Sequence, residues 1–123
     1  MAGILRFEEI HAWQTARELA HLVYRVTRVS PFRNDYGLRD QLRRAAVSIM
    51  SNIAEGFESR TTPLFIDFLG RAKGSAGEVR SRLYVAFDCG YISSEELDAA
   101  NELADKVSRQ ISRFMSYLKE SGR

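Results

Sequence analysis

Arginines recurring at helical spacing are the residues of this chain best suited to chemistry, and the chemistry they suit is the capture of phosphate. Arg17, His21, Arg25 and Arg28 fall within one arc of about 80° when each residue advances about 100°, and Arg39 and Arg43 share a face one segment later. Arg44 points away from that pair. Of the 18 basic residues only Lys73, Lys106 and Lys119 are lysines. A guanidinium meets phosphate through a planar fork that an ammonium cannot copy, although the same fork suits carboxylates at protein interfaces. Arg17, Arg25, Arg28, Arg39, Arg43 and Arg44 are therefore the candidates for contacts to RNA or DNA, with Arg44 the one most expected to be structural instead. The competing reading is a solvated face whose charges partner Glu18, Asp40 or acids of a neighbouring subunit.

Other chemistries fail on placement. Glu18-Leu19-Ala20-His21 has the Glu-x-x-His spacing of di-iron bundles, but no second copy exists and His21 projects more than about 100° from the apolar centre of its helix. His11 reads as a surface or capping residue. Gly70-Arg71-Ala72-Lys73-Gly74-Ser75 contains the residue types of a phosphate loop in the wrong order, with no strand before it. The lone Cys89 excludes an intramolecular disulfide framework and reads as a small buried or half-buried side chain. No catalytic constellation, metal or cofactor is implied. Met1 to Phe7 lack a leader pattern and no segment is apolar enough to span a bilayer, so a cytoplasmic location with no membrane partner is expected.

The elements that must carry these residues are helices. A length of 123 residues with 45% hydrophobic content suits one domain with one core, and 2 prolines with almost no hairpin-type turns argue against an all-β fold. The net charge of +2 permits a nucleic-acid partner without demanding one. Apolar residues at the 3.6 period predict a first helix from about Glu8 to Val29, on Ala12, Trp13, Ala16, Leu19, Ala20, Val23 and Thr27, closed by Ser30-Pro31. A second runs from Tyr36 to Phe57 on Leu38, Leu42, Ala45, Ala46, Ile49, Ile53 and Phe57. Thr62 is the expected cap of a third, from Pro63 to Cys89, with Phe65, Phe68, Leu69, Ala72, Ala76, Val79, Leu83 and Phe87 inward and Gly90 as its stop. Ser93 and Glu96 have the spacing of a capping box that opens the fourth, whose inward face holds Leu97, Ala100, Ala104, Val107, Ile111, Phe114 and Leu118. Four helices of roughly 22 to 28 residues with short loops predict an all-α, antiparallel up-down-up-down four-helix bundle.

Two further features bear on partners. Gly70, Gly74 and Gly77 each cost about 1 kcal/mol against alanine within a helix, so another backbone is expected to approach there. If that backbone belongs to a second subunit, the glycines, with Ile66 and Tyr84 exposed beside them, mark an oligomer interface. On the second helix Gln41, Ser48, Asn52 and Glu55 form a polar stripe, in which Asn52 is expected to fix a neighbouring helix or loop end and Glu55 to pair with an arginine.

The whole pattern resembles a known family. Phe7 and Ile10, Ala12-Trp13-Gln14, Tyr36-Gly37-Leu38, Gln41-Leu42-Arg43-Arg44-Ala45-Ala46, Asn52-Ile53-Ala54-Glu55-Gly56, Phe68-Leu69, Gly74-Ser75 and Gly90-Tyr91-Ile92 resemble the bacterial 23S rRNA intervening sequence proteins over nearly the full chain. That resemblance implies a left-handed antiparallel bundle, a protomer of a ring-like homopentamer, with no established enzymatic activity. A more distant similarity to the accessory variability determinants of diversity-generating retroelements, basic pentameric bundles that bind nucleic acid and a reverse transcriptase, implies an accessory factor. This chain is less basic than that group, and Gly70 stands where a bulkier small residue is expected. A protein scaffold without nucleic-acid binding is the alternative.

Overall fold

A computed structural model describes residues 3–121, and among them every regular element is helical. The two amino-terminal residues of the stretch read for a leader, Met1 and Ala2, lie outside the described residues. Helix α1 spans His11–Thr27, α2 Tyr36–Phe57, α3 Thr62–Asp88 and α4 Ser94–Ser121. Each packs on two others: α1 and α3 both lie against α2 and α4, which leaves α1 diagonal to α3. Paired residues give the directions. Ser48 meets Ser75 and Gly56 meets Phe65 across α2 and α3, and Lys73 meets Ser108 and Gly70 meets Met115 across α3 and α4, so α2 and α3, and α3 and α4, run antiparallel. The core is one layer of small and branched residues between these four helices, including Leu19, Val23, Leu42, Ile49, Ile53, Leu69, Val79, Leu83, Val107 and Ile111, all fully buried.

The helix ends follow local chemistry, with corrections to the sequence reading. The first helix begins at His11 and not Glu8: Phe7–Glu9 form a 3-10 turn, and Ile10 is extended at φ −74° and ψ 121°. That break lets Ile10 enter the core and brings the Phe7 ring edge-on to Trp13 at 5.3 Å. At 17 residues α1 is shorter than expected, and its buried face is broader, adding Thr15, Leu22 and Val26 where it faces α4. Helix α2 has the expected bounds because Asp35 caps it, its Oδ1 accepting from the Leu38 N–H at 3.2 Å. The cap of α3 is Thr61, whose hydroxyl accepts from Leu64 N–H at 3.3 Å, and Thr62 is already helical. Helix α4 opens with the reciprocal box, Ser93 N–H to Glu96 Oε1 at 2.9 Å and Glu96 N–H to Ser93 Oγ at 3.1 Å.

Past the end of α3, Gly90 takes φ +79°, a left-handed conformation that ends the helix. Cys89 is exposed as the C-cap residue, so the expectation of burial fails. Phe87 is also exposed rather than inward, because Ala86 and Ile92 close that end of the core. Tyr91 completes the closure by stacking on Phe32 at 5.0 Å and donating its hydroxyl to Asp35 Oδ2 at 2.9 Å. One carboxylate thereby caps α2 and ties the α1–α2 loop to the α3–α4 loop.

That hydrogen bond, with desolvation and the charge of Asp35 behind it, raises the Tyr91 phenol above the usual tyrosine value. The folded state therefore holds this proton more tightly than the unfolded chain. Its contribution is fully present below the unfolded value of about 10 and is lost as pH rises through the raised folded value. Urea unfolding at pH 8 and pH 11 is expected to show a smaller alkaline loss for Tyr91→Phe than for the wild type. An equal loss would remove Tyr91 as its source.

Candidate nucleic-acid interface

The positive charge is concentrated. Residues 11–44 contain seven arginines and three carboxylates, whereas the rest of the chain has eleven basic and thirteen acidic residues. The region comprises α1, the loop after it and the first turns of α2, so the excess lies on the side of the bundle that these two helices share.

Within that region the nominated arginines separate into three kinds. Arg17 and Arg25 on α1 and Arg28 at its C-cap are exposed, and their guanidinium groups make no ion pair or hydrogen bond among the described residues; Arg17 lies over the Trp13 ring at 5.7 Å. Arg39 and Arg43 are bound into the fold. The Arg39 Nε donates to Asp40 Oδ1 at 2.9 Å and one terminal nitrogen donates to the Arg33 carbonyl at 3.1 Å, with the guanidinium 4.8 Å from the Tyr36 ring centre. This hydrogen bond, with the charges of Arg39, Arg43 and Arg44 around it, holds the Asp40 carboxyl below the usual aspartate value. The Arg43 Nε donates to Thr27 Oγ1 at 2.8 Å, and its guanidinium lies over Tyr24 at 4.5 Å. Thr27 is fully buried and donates in turn to the Val23 carbonyl at 2.7 Å, so Arg43 satisfies the last polar demand of a hydroxyl on the core face.

Arg44 reverses its expected role. It is exposed and unpaired among the described residues, on the α3 side of α2 beside Glu78 and Arg82, while Arg43 is the structural member of the pair. The structure therefore joins Arg43 to α1 through Tyr24 and Thr27, sets Arg44 between a groove shared with Tyr24 and Arg43 and one shared with Glu78 and Arg82, and leaves Arg17, Arg25 and Arg28 exposed along α1 and at its end. Trp13, Tyr24 and Tyr36 each lie under one of these arginines. Exposed Arg33, in the loop, was missed because a loop residue has no helical phase.

On the polar stripe of α2, Asn52 does not hold a neighbouring helix. Its Nδ2 donates to the Ser48 carbonyl at 2.9 Å and to Ser48 Oγ at 3.0 Å on its own helix, and Ser48 Oγ makes the bridge to Ser75 Oγ of α3 at 2.9 Å. Glu55 forms no ion pair among the described residues. The glycines of α3 also differ from expectation inside the protomer: no backbone approaches any of them, Gly74 and Gly77 have open space around the Cβ position, and Gly70 meets only the Met115 methyl at 4.0 Å. Tyr84 is exposed as expected, whereas Ile66 is partly buried against the core. His21 is exposed, and no group of His, Cys, Asp or Glu that could hold a metal ion occurs among the described residues.

The sequence model of the 23S rRNA-intervening sequence protein family matches residues 8–113, a span that includes α1, α2, α3 and most of α4. The chain belongs to that family. The 23S rRNA-intervening sequence fold has a solved counterpart: the crystal structure at 1.70 Å of a protein with unknown function from the S23 ribosomal protein family of Bacteroides thetaiotaomicron VPI-5482. It is 20% identical with a TM-score of 0.78, covering 85% of this chain and 95% of that one. At this identity the likeness is one of fold. No curated protein shows significant similarity to the chain. No described helix is long and apolar enough to cross a membrane.

Proposed function

We propose that this member of the 23S rRNA-intervening sequence family is a non-catalytic accessory protein that binds RNA or DNA through phosphate contacts on the α1 side of the bundle. The observation that carries this reading is the set of three exposed, unpaired arginines, Arg17, Arg25 and Arg28, within the part of the chain where positive charge is concentrated. Unpaired guanidinium groups lose little on meeting a phosphate, whereas Arg39 and Arg43 would first have to leave the partners that hold them. Their part in binding is to supply field and shape from fixed positions. Arg44 serves a ligand that extends toward α3. The location that goes with this reading is the cytoplasm.

Assembly is the second element of the proposal. Gly70, Gly74, Gly77, Ile66 and Tyr84 form the interface of a ring-like homopentamer, supported by the free space at Gly74 and Gly77 and the exposure of Tyr84 and Val85 on the same helix. In the protomer, Gly77→Ala relieves a helix-interior glycine without meeting any atom, so it is expected to stabilise the monomeric unit by up to about 1 kcal/mol. In a ring sealed at Gly77, the added methyl instead shifts sedimentation toward smaller species. Unchanged assembly with raised stability would count against Gly77 as part of the interface.

The functional test is fluorescence anisotropy of a labelled structured RNA titrated with the protein at about 50 and 200 mM salt. Phosphate contacts release counterions, so affinity is expected to fall steeply across that range. Absence of binding at low salt would leave the scaffold reading, in which the exposed apolar residues of α3 meet a protein partner.

A further inference from the structure

The outer edge between α3 and α4 carries a charge pattern that the α1 face does not explain. An open groove of about 530 Å³ is lined there by Lys73 and Arg80 of α3 and by Asp105, Ser108, Arg109 and Arg113 of α4. Seven residues separate Lys73 from Arg80, and four separate Arg109 from Arg113, so each pair shares a helix face and the cations extend over about 10 Å of the groove.

Their internal partners are few. Arg109 pairs with Asp105 one turn away. Lys73 Nζ donates to Ser108 Oγ at 3.0 Å, which fixes the ammonium across the groove without neutralising it. Arg80 and Arg113 make no ion pair or hydrogen bond among the described residues. Elsewhere on α3 the arginines follow the opposite rule: Arg71 pairs with Asp67 and Arg82 with Glu78, each four residues apart. Around Arg80 the positions three and four residues away are Ala76, Gly77, Leu83 and Tyr84, and around Lys73 they are Leu69, Gly70, Ala76 and Gly77. None of these positions is a carboxylate, and Glu78, two residues from Arg80, is paired with Arg82. Four cations thus face one carboxylate across two helices, a repulsion that a bound polyanion relieves.

We propose that this groove holds the phosphates of a nucleic-acid strand, as a second contact surface separate from the α1 arginines. The proposal rests on the nucleic-acid reading and competes with a ring sealed at α3, since Gly70, Gly77 and Tyr84 lie three or four residues from Lys73 or Arg80 on the same face, so a strand in the groove and a subunit on that face exclude one another; α1 is diagonal to α3, so the α1 face and the groove look out from different sides of the bundle. Lys73, Arg80 and Arg113 supply the charge, and Ser108 sets the position of Lys73.

The test is the same anisotropy titration with a labelled single-stranded RNA, comparing the wild type with Arg80→Gln/Arg113→Gln, with Arg25→Gln/Arg28→Gln, and with Arg71→Gln/Arg82→Gln. The last pair makes the same charge change at arginines already paired outside the groove. Glutamine keeps helix propensity, and circular dichroism establishes that each variant is folded. Should Arg113→Gln unfold, Lys73→Gln replaces it. The groove variant is expected to show a log affinity against log salt slope shallower by about 1.4, at about 0.7 per lost contact on a single strand, while the Arg71→Gln/Arg82→Gln slope stays at the wild-type value. A groove variant with the wild-type slope overturns the groove and leaves the α1 reading standing. Loss confined to the groove variant upholds the groove and overturns the α1 face. A wild type that does not bind overturns both.

Discussion

Gly56→Ala is expected to destabilise the fold by up to about 2 kcal/mol, although the same substitution elsewhere in a helix interior is stabilising. A Cβ built at Gly56 falls 2.7 Å from Phe65 Cδ1 and 2.9 Å from Phe68 Cβ. The first of these atoms is on a ring that rotates, but Phe65 is buried and set edge-on to both Phe57 and Phe114, at 6.2 and 5.4 Å. The second is fixed to the α3 backbone, so the helices themselves must separate. Overpacking of this kind costs about 1–3 kcal/mol, against which the helix gains about 1 kcal/mol on losing a glycine. Equilibrium urea unfolding of Gly56→Ala beside Gly77→Ala reads the contrast directly, since the two should shift the midpoint in opposite directions. Two stabilised variants would mean that propensity governs both sites and that the α2–α3 approach at Gly56 is not tight.

This glycine also marks the limit of what periodicity discloses. Gly56 closed the Asn52-Ile53-Ala54-Glu55-Gly56 run and attracted no structural reading, whereas Gly70, Gly74 and Gly77 did, because a wheel records the phase of a residue but not the distance to the helix opposite. The same distinction runs through the fold. The box opening α4 was legible because capping acts through residues three apart in sequence, and the bounds of α2 were legible from its apolar period, without the Asp35 cap that fixes its start. Thr61 and Thr62 were not separable, since proline is tolerated at either of the first two helical positions. The start of α1 was misplaced because Phe7 and Ile10 turn inward by leaving the helical path, and a period-based reading has no term for that. Phe87 kept the right phase but lies beyond the end of its neighbours, where Ile92 takes the core position.

At the candidate site the limit is the same. The arcs of arginines on α1 and α2 were visible as phases. Which member is free and which is held depends on the rotation between the two helices, and that rotation puts Arg43 against Thr27. Thr27 had been read as one of the apolar positions. A buried hydroxyl at the edge of a core face is itself a signal, because it needs a partner, and a long donor on the adjacent helix is the natural one.

That division gives the largest functional effect its form. Arg17→Glu/Arg25→Glu/Arg28→Glu is expected to weaken RNA binding by at least about a hundredfold near 50 mM salt and to flatten the salt dependence by about 2 units for a single strand, because three phosphate contacts are lost and three repulsions are added. No guanidinium of the three carries an internal hydrogen bond or ion pair, so the variant should fold, with a modest fall in the unfolding midpoint because Arg25 is in the last turn of α1 and Arg28 is its C-cap, where a glutamate meets the negative end of the helix. Arg43→Glu is a poor substitute for this experiment: it breaks the Thr27 hydrogen bond and the stack on Tyr24, so stability falls with affinity and the two cannot be separated. Arg44→Glu reads how far the surface extends round α2, since Arg44 is exposed and unpaired between Tyr24 and Arg43 on one side and Glu78 and Arg82 on the other. Equal losses from Arg44→Glu and from a single reversal at Arg25 would mean that binding is not confined to the α1 face. Undiminished binding by the triple variant would remove α1 from the interface altogether. Dissociation of the oligomer by the triple variant, with no RNA affinity in the wild type, would instead assign the three arginines to subunit contacts, where their free guanidinium groups meet the carboxylates of a neighbour.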